Sequence, residues 1–420
     1  MTKTVQLDRR TLLKGALCLA GAALSTQQGL ASFLEADGIG SPLAARREGE
    51  MDIHHIDTGR GNSTLVVAPD GTTLMIDAGA GTGPAGTMSA ARPDESRRPG
   101  EWQARYALRH SGSTALDYMV VTHLHADHLG EVTDRTPLAK GGTYHLTGVS
   151  DVDALMPIGI LIDRAYPDYG NTLPPSAPYL TNYLSYLKSR ASAGRTVQKA
   201  DVGSDQQLVL KKHAAQYPTF KSRILAASGV VWTGKGHETQ RIVPENPPFK
   251  AYENVYSIGL RLSYGKFSYY AGGDLSADTS DGQYPWMDTE SPVARAAGRT
   301  EVAAANHHGY FDACGPEFVR DLDAQVYIIQ SWDIGHPGPA QMQRMMGAWQ
   351  NKATRDVFAT GLHPQNALMN RRFSGQLKSQ QGHVVVRVAP GGDSYRIFVL
   401  DSSDERNLIT GTIGPYRSRA

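Results

Sequence analysis

The chain has 420 residues, of which 40% are hydrophobic and 20% are charged. These proportions are typical of a globular protein with a buried core, and they exclude disordered and collagen-like chains. The 42 lysines and arginines balance 41 acidic residues and leave a formal net charge of +1. The charge therefore does not support nucleic acid as a partner.

The first 31 residues have the pattern of a cleavable export signal. Arg9 and Arg10 precede Leu12-Leu13-Lys14, and a short run of apolar and small residues follows. Paired arginines in this setting resemble the twin-arginine signal, which implies the twin-arginine export machinery as a partner and a periplasmic or secreted protein. A run of about ten residues spans only about 15 Å as a helix, so we expect no stable membrane insertion. A buried helix or a short anchor is the alternative.

After this signal we expect a flexible lead-in over residues 32–50 and one domain over residues 51–420. Gly-, Pro- and Arg-rich sequence predicts a loop insertion at about residues 80–100, and Pro-, Gly- and Tyr-rich sequence predicts another at about 163–253. Once the signal is removed, Cys314 is the single remaining cysteine of the sequence, so an internal disulfide is excluded.

Short β-type runs in both halves of the domain alternate with helical patterns. Strands are predicted at 51–56, 63–67, 72–76, 116–121, 157–162, 223–227, 230–232, 255–264, 266–271, 302–306, 326–330, 356–360, 384–388 and 395–400. Helices are predicted at 102–110, 180–187, 314–322 and 339–350. This pattern predicts an α/β or α+β layered sandwich, with the hairpin at 384–400 completing the second sheet.

The segment after the predicted strand 116–121 is the most informative, because it contains His123, His125, Asp127 and His128. These four side chains cannot all face one ion. We expect His123 and His125 to bind one ion, and Asp127 and His128 to bind a second. Imidazole together with carboxylate favours Zn, with Mn or Fe as alternatives, over Mg or Ca.

Two later strand ends could complete this site. Asp274 follows two glycines at the end of the predicted strand 266–271, where its carboxylate could bridge two cations. His307 follows the predicted strand 302–306 and is the expected imidazole ligand, while the role of His308 stays open. The carboxyl ends of neighbouring strands meet at one sheet edge, so we expect the three segments to converge.

In this order the motifs resemble the metallo-β-lactamase superfamily of metallohydrolases over roughly residues 51–340. The resemblance rests on Ile76-Asp77-Ala78-Gly79, the His123–His128 motif, Gly272-Gly273-Asp274 and His307-His308-Gly309. Further motifs are most similar to the hydrolase domain of bacterial DNA-uptake (competence) proteins: Gly61-Asn62-Ser63, Glu253-Asn254 with Ser257, and Ser331 with His336-Pro337. The resemblance implies a four-layer αββα sandwich and two divalent metal ions.

The chain departs from the superfamily pattern at one ligand. Most members have another histidine between the first motif and the bridging aspartate, and His237 is a candidate although it lies in a long predicted loop. The resemblance to the competence-like branch implies that an Asn-x-x-Ser segment, here Asn254 and Ser257, takes that place. The number of bound ions, one or two, therefore stays open.

The expected function is that of an exported metal-dependent hydrolase that uses a metal-activated water, with phosphodiesters ahead of lactones and other esters. Zinc lowers the pKa of bound water from 15.7 to about 7. Asp127 would orient this water, His336 is the candidate proton donor to the leaving group, and Asp77 would accept a ligand ring N–H. The alternatives are a lactone or ester hydrolase of the same fold and a metal-bearing binding protein without turnover.

Overall fold

The computed structural model describes residues 38–347 and 355–419. The predicted signal peptide, residues 1–31, lies outside these ranges, as does the end of the helix predicted at 339–350. Within the described ranges, every helix is too short or too polar to cross a lipid bilayer.

The described residues form two large sheets with helices outside them. The strands are β1 (Met51–His55), β2 (Thr64–Val67), β3 (Thr73–Ile76), β4 (Leu116–Val121), β5 (Ile158–Asp163), β6 (Val197–Lys199), β7 (Phe220–Ala227), β8 (Val230–Trp232), β9 (Thr239–Arg241), β10 (Gly259–Tyr264), β11 (Phe267–Ala271), β12 (Val302–Ala304), β13 (Val326–Ile329), β14 (Asp356–Ala359), β15 (His383–Val388), β16 (Ser394–Leu400) and β17 (Ile409–Arg417). The helices are α1 (Pro99–Ser111), α2 (Ala126–Leu129), α3 (Val149–Leu155), α4 (Pro178–Ser192), α5 (Glu290–Ala297), α6 (Pro316–Leu322), α7 (Pro339–Met346), α8 (Pro364–Met369) and α9 (Arg371–Ser374).

The first sheet has the strand order β17-β16-β15-β1-β2-β3-β4-β5-β6, and the second has the order β14-β13-β12-β11-β10-β7-β8-β9. Side chains from the facing sides of the two sheets form the central core, including Ile53, Val120, Leu260 and Val326. The outer face of the first sheet packs against α1, α3 and α4, and the outer face of the second packs against α5, α6 and α7. This arrangement confirms the predicted αββα sandwich, a metallo-β-lactamase-like fold.

The strands that matter for the site belong to a run of parallel strands in one half of each sheet. β3, β4 and β5 are parallel neighbours in the first sheet, and β11, β12, β13 and β14 are parallel neighbours in the second. Parallel strands place their carboxyl ends at one edge. The segments that follow β3, β4, β11, β12 and β13 therefore emerge at the edges from which the site is built.

The position of the C-terminal hairpin corrects one expectation. β15 and β16 do not complete the second sheet, because β15 pairs antiparallel with β1 of the first sheet. All five residues of β1 are buried, and β15 supplies the backbone partners on the side of β1 away from β2. β17, which the sequence analysis does not predict, extends the same sheet beyond β16.

Residues 38–50 lie against the domain in irregular backbone. Gly40 donates its N–H to the Ile409 carbonyl at 2.8 Å, and Arg46 donates to the carbonyl of Pro69 at 3.1 Å. The insertion predicted over 163–253 contains α4 and the core strand β7, which pairs with β10. The proposed domain boundaries themselves stay a prediction.

A buried ion pair ties the C-terminal hairpin to β1. Asp52 and Arg387 are direct partners in the β1–β15 register. The Arg387 Nε and Nη2 atoms donate to the two carboxylate oxygens at 2.9 and 2.8 Å, and both side chains are buried. Burial raises the pKa of Asp52, but Arg387 and His54 outweigh this effect and hold it well below its usual value.

We predict that Arg387→Met lowers the free energy of unfolding by about 3–5 kcal/mol, because it leaves the Asp52 carboxylate buried without its cation. Urea unfolding followed by circular dichroism measures the change. Arg406→Met is the matched control, since Arg406 pairs with Asp404 at the exposed surface and its loss should leave the midpoint unchanged. Equal shifts in the two variants would contradict the prediction.

Candidate metal centre

The first ligand loop begins where the buried strand β4 ends and turns at once into the one-turn helix α2. Gly61 and Gly79 pack on this loop so closely that a Cβ atom at either position would overlap the Asp127 carbonyl oxygen. That oxygen accepts the Asn62 N–H at 2.9 Å. The glycines are therefore needed so that the loop containing Asp127 can lie against two neighbouring backbone segments.

His123, His125 and Asp274 form the first group of side chains that could hold an ion. His123 Nε2 lies 3.1 Å from His125 Nδ1 and 3.6 Å from Asp274 Oδ2. The structure thus brings the two histidines predicted to share one ion next to the predicted bridging aspartate.

Asp127, His128, Asp274 and His308 form the second group. His308 Nε2 lies 2.9 Å from Asp127 Oδ2 and 3.6 Å from Asp274 Oδ2. His128 Nε2 lies 3.2 Å from Asp274 Oδ1 and 3.6 Å from Asp127 Oδ2. Asp274 belongs to both groups, so its carboxylate could bridge two cations, which is the role that the sequence analysis expects of it.

This donor set fits divalent cations. His128 Nε2 and Asp274 Oδ1 are buried and make no hydrogen bond of ordinary geometry among the described residues. Burial lowers the pKa of His128, but Asp274, Asp127 and Asp77 outweigh it and raise that pKa well above its usual value. The carboxylates thus stabilise a positive charge at this position, which is where a bound cation would supply one. The mixture of imidazole and carboxylate suits Zn, Mn or Fe.

The Asp77 carboxylate orients the second group through the ring nitrogen of His128 that does not face the group. Asp77 Oδ2 accepts from His128 Nδ1 at 2.8 Å, as the sequence analysis proposes, and Thr122 donates to the same carboxylate through its N–H and its hydroxyl. The Gln330 carbonyl accepts from His308 Nδ1 at 3.0 Å. These bonds leave the Nε2 atom of each ring directed at the site.

The side chains of His307 and His308 point in different directions. Both have positive φ, 44° and 55°, so consecutive rings leave the backbone in different directions. His307 Nδ1 lies 2.6 Å from Asp312 Oδ1, and its Nε2 lies 3.8 Å from Asp274 Oδ2. The second group therefore contains His308 in the place where the sequence analysis puts His307. A ligand role for His307 stays a prediction.

His336, the predicted proton donor, lies beside the second group. Its ring stacks on that of His308, with centroids 4.7 Å apart, and its Nδ1 atom is buried without a hydrogen-bond partner among the described residues. Burial and then the His308 and His307 rings lower the pKa of His336 well below its usual value. At neutral pH the ring is therefore neutral, so it can donate a hydrogen bond but is a poor source of a full proton.

The two candidates for the missing ligand position lie in different places. His237 is in an exposed loop, where its Nδ1 atom lies 3.1 Å from the Gly203 carbonyl oxygen, and the structure does not bring it to the site. Asn254 lies at the site, with its Nδ2 atom 3.3 Å from His307 Nε2 and its Oδ1 atom buried without a hydrogen-bond partner in the described part of the chain. Ser257 accepts the Asp274 N–H through its hydroxyl at 3.2 Å.

The sequence does not reveal how Glu253 and Arg164 contribute to the structure of the site. Glu253 accepts the Leu124 N–H, between His123 and His125, and Arg164 pairs with Glu253. The Glu253-Asn254 motif singles out the first residue, but it does not say which loop the carboxylate contacts. Arg164 lies in a predicted insertion, and only the folded chain brings it to Glu253.

Residues 56–134 match the model of the Metallo-beta-lactamase superfamily. The matched segment contains β2, β3, β4 and the whole first ligand loop. Together with the ligand geometry, this match supports the prediction that the chain is a metal-dependent hydrolase with this fold. No curated protein matches the sequence.

Two solved structures are similar over much of the chain. A proposed metal-dependent hydrolase from Parabacteroides distasonis is 11% identical, with a TM-score of 0.36, covering 76% of this chain and 97% of its own. The short form of human tRNase Z is also 11% identical, with a TM-score of 0.26, covering 79% of this chain and 90% of its own. TM-scores this low do not establish a shared fold or function.

We predict that Asp77→Ala lowers the affinity for zinc about 10- to 100-fold, because His128 loses the partner that fixes its ring. Competition with a chromophoric chelator measures the change. His237→Ala, at the exposed loop, should leave the affinity unchanged. Unaltered zinc binding by a folded Asp77→Ala protein would contradict the role assigned to Asp77.

Proposed function

We propose that the protein is an exported hydrolase that cleaves phosphodiester bonds with two divalent metal ions, zinc before manganese or iron. The observation that carries the proposal is the position of Asp274 between the His123–His125 pair and the group of Asp127, His128 and His308. A carboxylate shared by two ligand groups is typical of sites for two-metal hydrolysis.

Export rests on the twin-arginine pattern of residues 1–31, which would direct the folded chain to the periplasm or outside the cell through the twin-arginine machinery. Phosphodiester cleavage rests on the combination of motifs that resembles competence proteins. The structure brings Asn254, Ser257 and His336 of that combination to the candidate site. The proposed substrate is a small molecule with a phosphodiester bond, since the net charge of +1 offers no field for a long polyanion.

In this proposal, Asp127 and Asp274 have different roles in catalysis. Divalent ions, when bound, would supply Lewis acidity and lower the pKa of a coordinated water. Asp127 is the most accessible member of the second group, with 17% of its side chain exposed, and its carboxylate can accept a hydrogen bond from the attacking water. Asp274 is buried beneath it and holds the two ligand groups together.

In this proposal His336, whose ring stacks on that of His308, acts on the leaving group. Its neutral ring can donate a hydrogen bond to the oxygen of the leaving group, which stabilises the negative charge that develops there. The stacking contact with His308 fixes the ring plane, and Trp332 makes an edge-on contact with the same ring, with centroids 5.4 Å apart.

We predict that the zinc-loaded protein hydrolyses bis-p-nitrophenyl phosphate, and that Asp127→Ala and Asp274→Ala each lower kcat/KM at least about 10³-fold, because each removes a ligand and its charge. Release of p-nitrophenolate measures the rate. His237→Ala is the matched control and should retain activity within about twofold.

The outcomes separate the candidate functions. Hydrolysis of lactones or carboxylic esters without hydrolysis of phosphodiesters would favour the ester hydrolase. A wild-type protein that retains zinc but hydrolyses none of these substrates would favour a metal-bearing binding protein.

We predict that His336→Ala costs about tenfold in kcat/KM on diphenyl phosphate and less than about threefold on bis-p-nitrophenyl phosphate. Phenolate is the more basic leaving group and depends more on a hydrogen-bond donor. Steady-state kinetics on both substrates measure the difference. An equal loss on the two substrates would mean that His336 acts through its stacking contact with His308 alone.

A further inference from the structure

One short segment, residues 253–258, contacts the ligand loops of both sheets. The Ile258 N–H donates to the Thr122 carbonyl at 2.9 Å, immediately before His123. The hydroxyl of Ser257 accepts the Asp274 N–H. Residues 253–258 therefore form a bridge between the loop after β4 and the loop after β11.

Within this segment, Glu253 contacts the backbone of the first ligand loop between two ligand candidates. Its Oε1 atom accepts the N–H of Leu124 at 2.9 Å, and Leu124 is the residue between the ligand candidates His123 and His125. The Leu124 side chain itself is fully buried in the core of the first sheet. The side chain and the backbone N–H of Leu124 are thus held by different partners, one apolar and one polar.

Arg164 holds Glu253 in place. Its Nε and Nη2 atoms donate to the two Glu253 oxygens at 2.6 and 2.8 Å, and the two side chains are 0% and 3% exposed. Arg164 Nη1 donates to the Thr172 hydroxyl at 2.9 Å. Arg164 Nη2 also donates to the Thr172 carbonyl at 3.0 Å. A two-pronged pair of this kind fixes both the position and the plane of the carboxylate.

The hydrogen bonds of Glu253 and Arg164 matter most for the first ligand group, because this group has few donors. It consists of His123, His125 and Asp274, one side chain fewer than the second group. With fewer donors, metal retention depends more strongly on how accurately the donors are aimed, because outer hydrogen-bonding partners orient ligands and tune affinity.

We infer that Glu253 is a positioning residue for the first metal position, and that Arg164 acts through Glu253. Glu253 fixes the Leu124 backbone so that His123 and His125 converge on Asp274. The inference rests on the metal site of the proposed function, and it assigns a specific role in metal retention to a buried ion pair that touches no ligand side chain.

Two substitutions separate the reach of the Glu253 side chain from its charge. Glu253→Gln keeps an oxygen at the same reach for the Leu124 N–H but leaves Arg164 without its anion. Glu253→Asp keeps the anion but withdraws the oxygen by one methylene. If Glu253 positions the loop, zinc affinity falls about tenfold in Glu253→Asp and stays within about threefold in Glu253→Gln, whereas Tm falls further in Glu253→Gln.

The pair formed by Asp153 and Arg190 is the matched control. It is also a buried Arg–carboxylate pair, with side chains 4% and 0% exposed, and the Asp153 carboxylate also accepts a backbone N–H, that of Ile158 at 2.8 Å. It lies between α3 and α4, away from both ligand groups. Asp153→Asn should lower Tm and leave zinc affinity unchanged.

Chelator competition on the folded full-length variants, with Tm measured on the same samples, decides the matter. The inference is overturned if zinc affinity follows Tm across all three variants, or if Glu253→Asp binds zinc as the wild type does. If Glu253→Asp does not fold, Arg164→Lys replaces it: a three- to tenfold loss of zinc affinity supports the inference, and wild-type affinity overturns it. Because zinc binding is the readout, a failure of phosphodiester hydrolysis alone would refute the proposed function and leave this inference intact.

Discussion

The Asp274 carboxylate is the group on which the rest of the site depends. It is buried, it approaches His123, His128 and His308 within 3.6 Å, and one of its oxygens has no hydrogen bond of ordinary geometry. A buried carboxylate costs free energy unless cations or donors surround it. The loops of both sheets must therefore meet around Asp274, and divalent cations are the species that best satisfy so many converging imidazoles and carboxylates.

The architecture serves this convergence. The parallel strands of each sheet place their carboxyl ends at one edge, and the two sheets pack face to face through the central core. Glycines at 61 and 79 allow two backbone segments to lie against Asp127. Asp77 and Glu253 contact the first ligand loop through His128 and Leu124, and neither carboxylate belongs to the two groups that could hold an ion.

Much of the candidate site could be predicted from the sequence. The spacing of His123, His125, Asp127 and His128 divides them between two groups as the structure does, because residues on one tight turn cannot all face one point. The position of Asp77 at a strand end made it a candidate acceptor for a ligand ring N–H, and the structure shows that the ring is that of His128. The choice between His307 and His308 could not be predicted, because it depends on two consecutive left-handed backbone conformations.

The sequence by itself determined the layered fold class, most strands and the two ligand motifs, because hydrophobic periodicity and residue spacing are local properties of the chain. Only the tertiary structure decided that β15 pairs with β1, that His308 faces Asp127, and that Arg164 reaches Glu253. Each of these is a contact between segments distant in sequence. Such contacts depend on how sheets pack and backbones turn, and a pattern read along the chain carries no information about them.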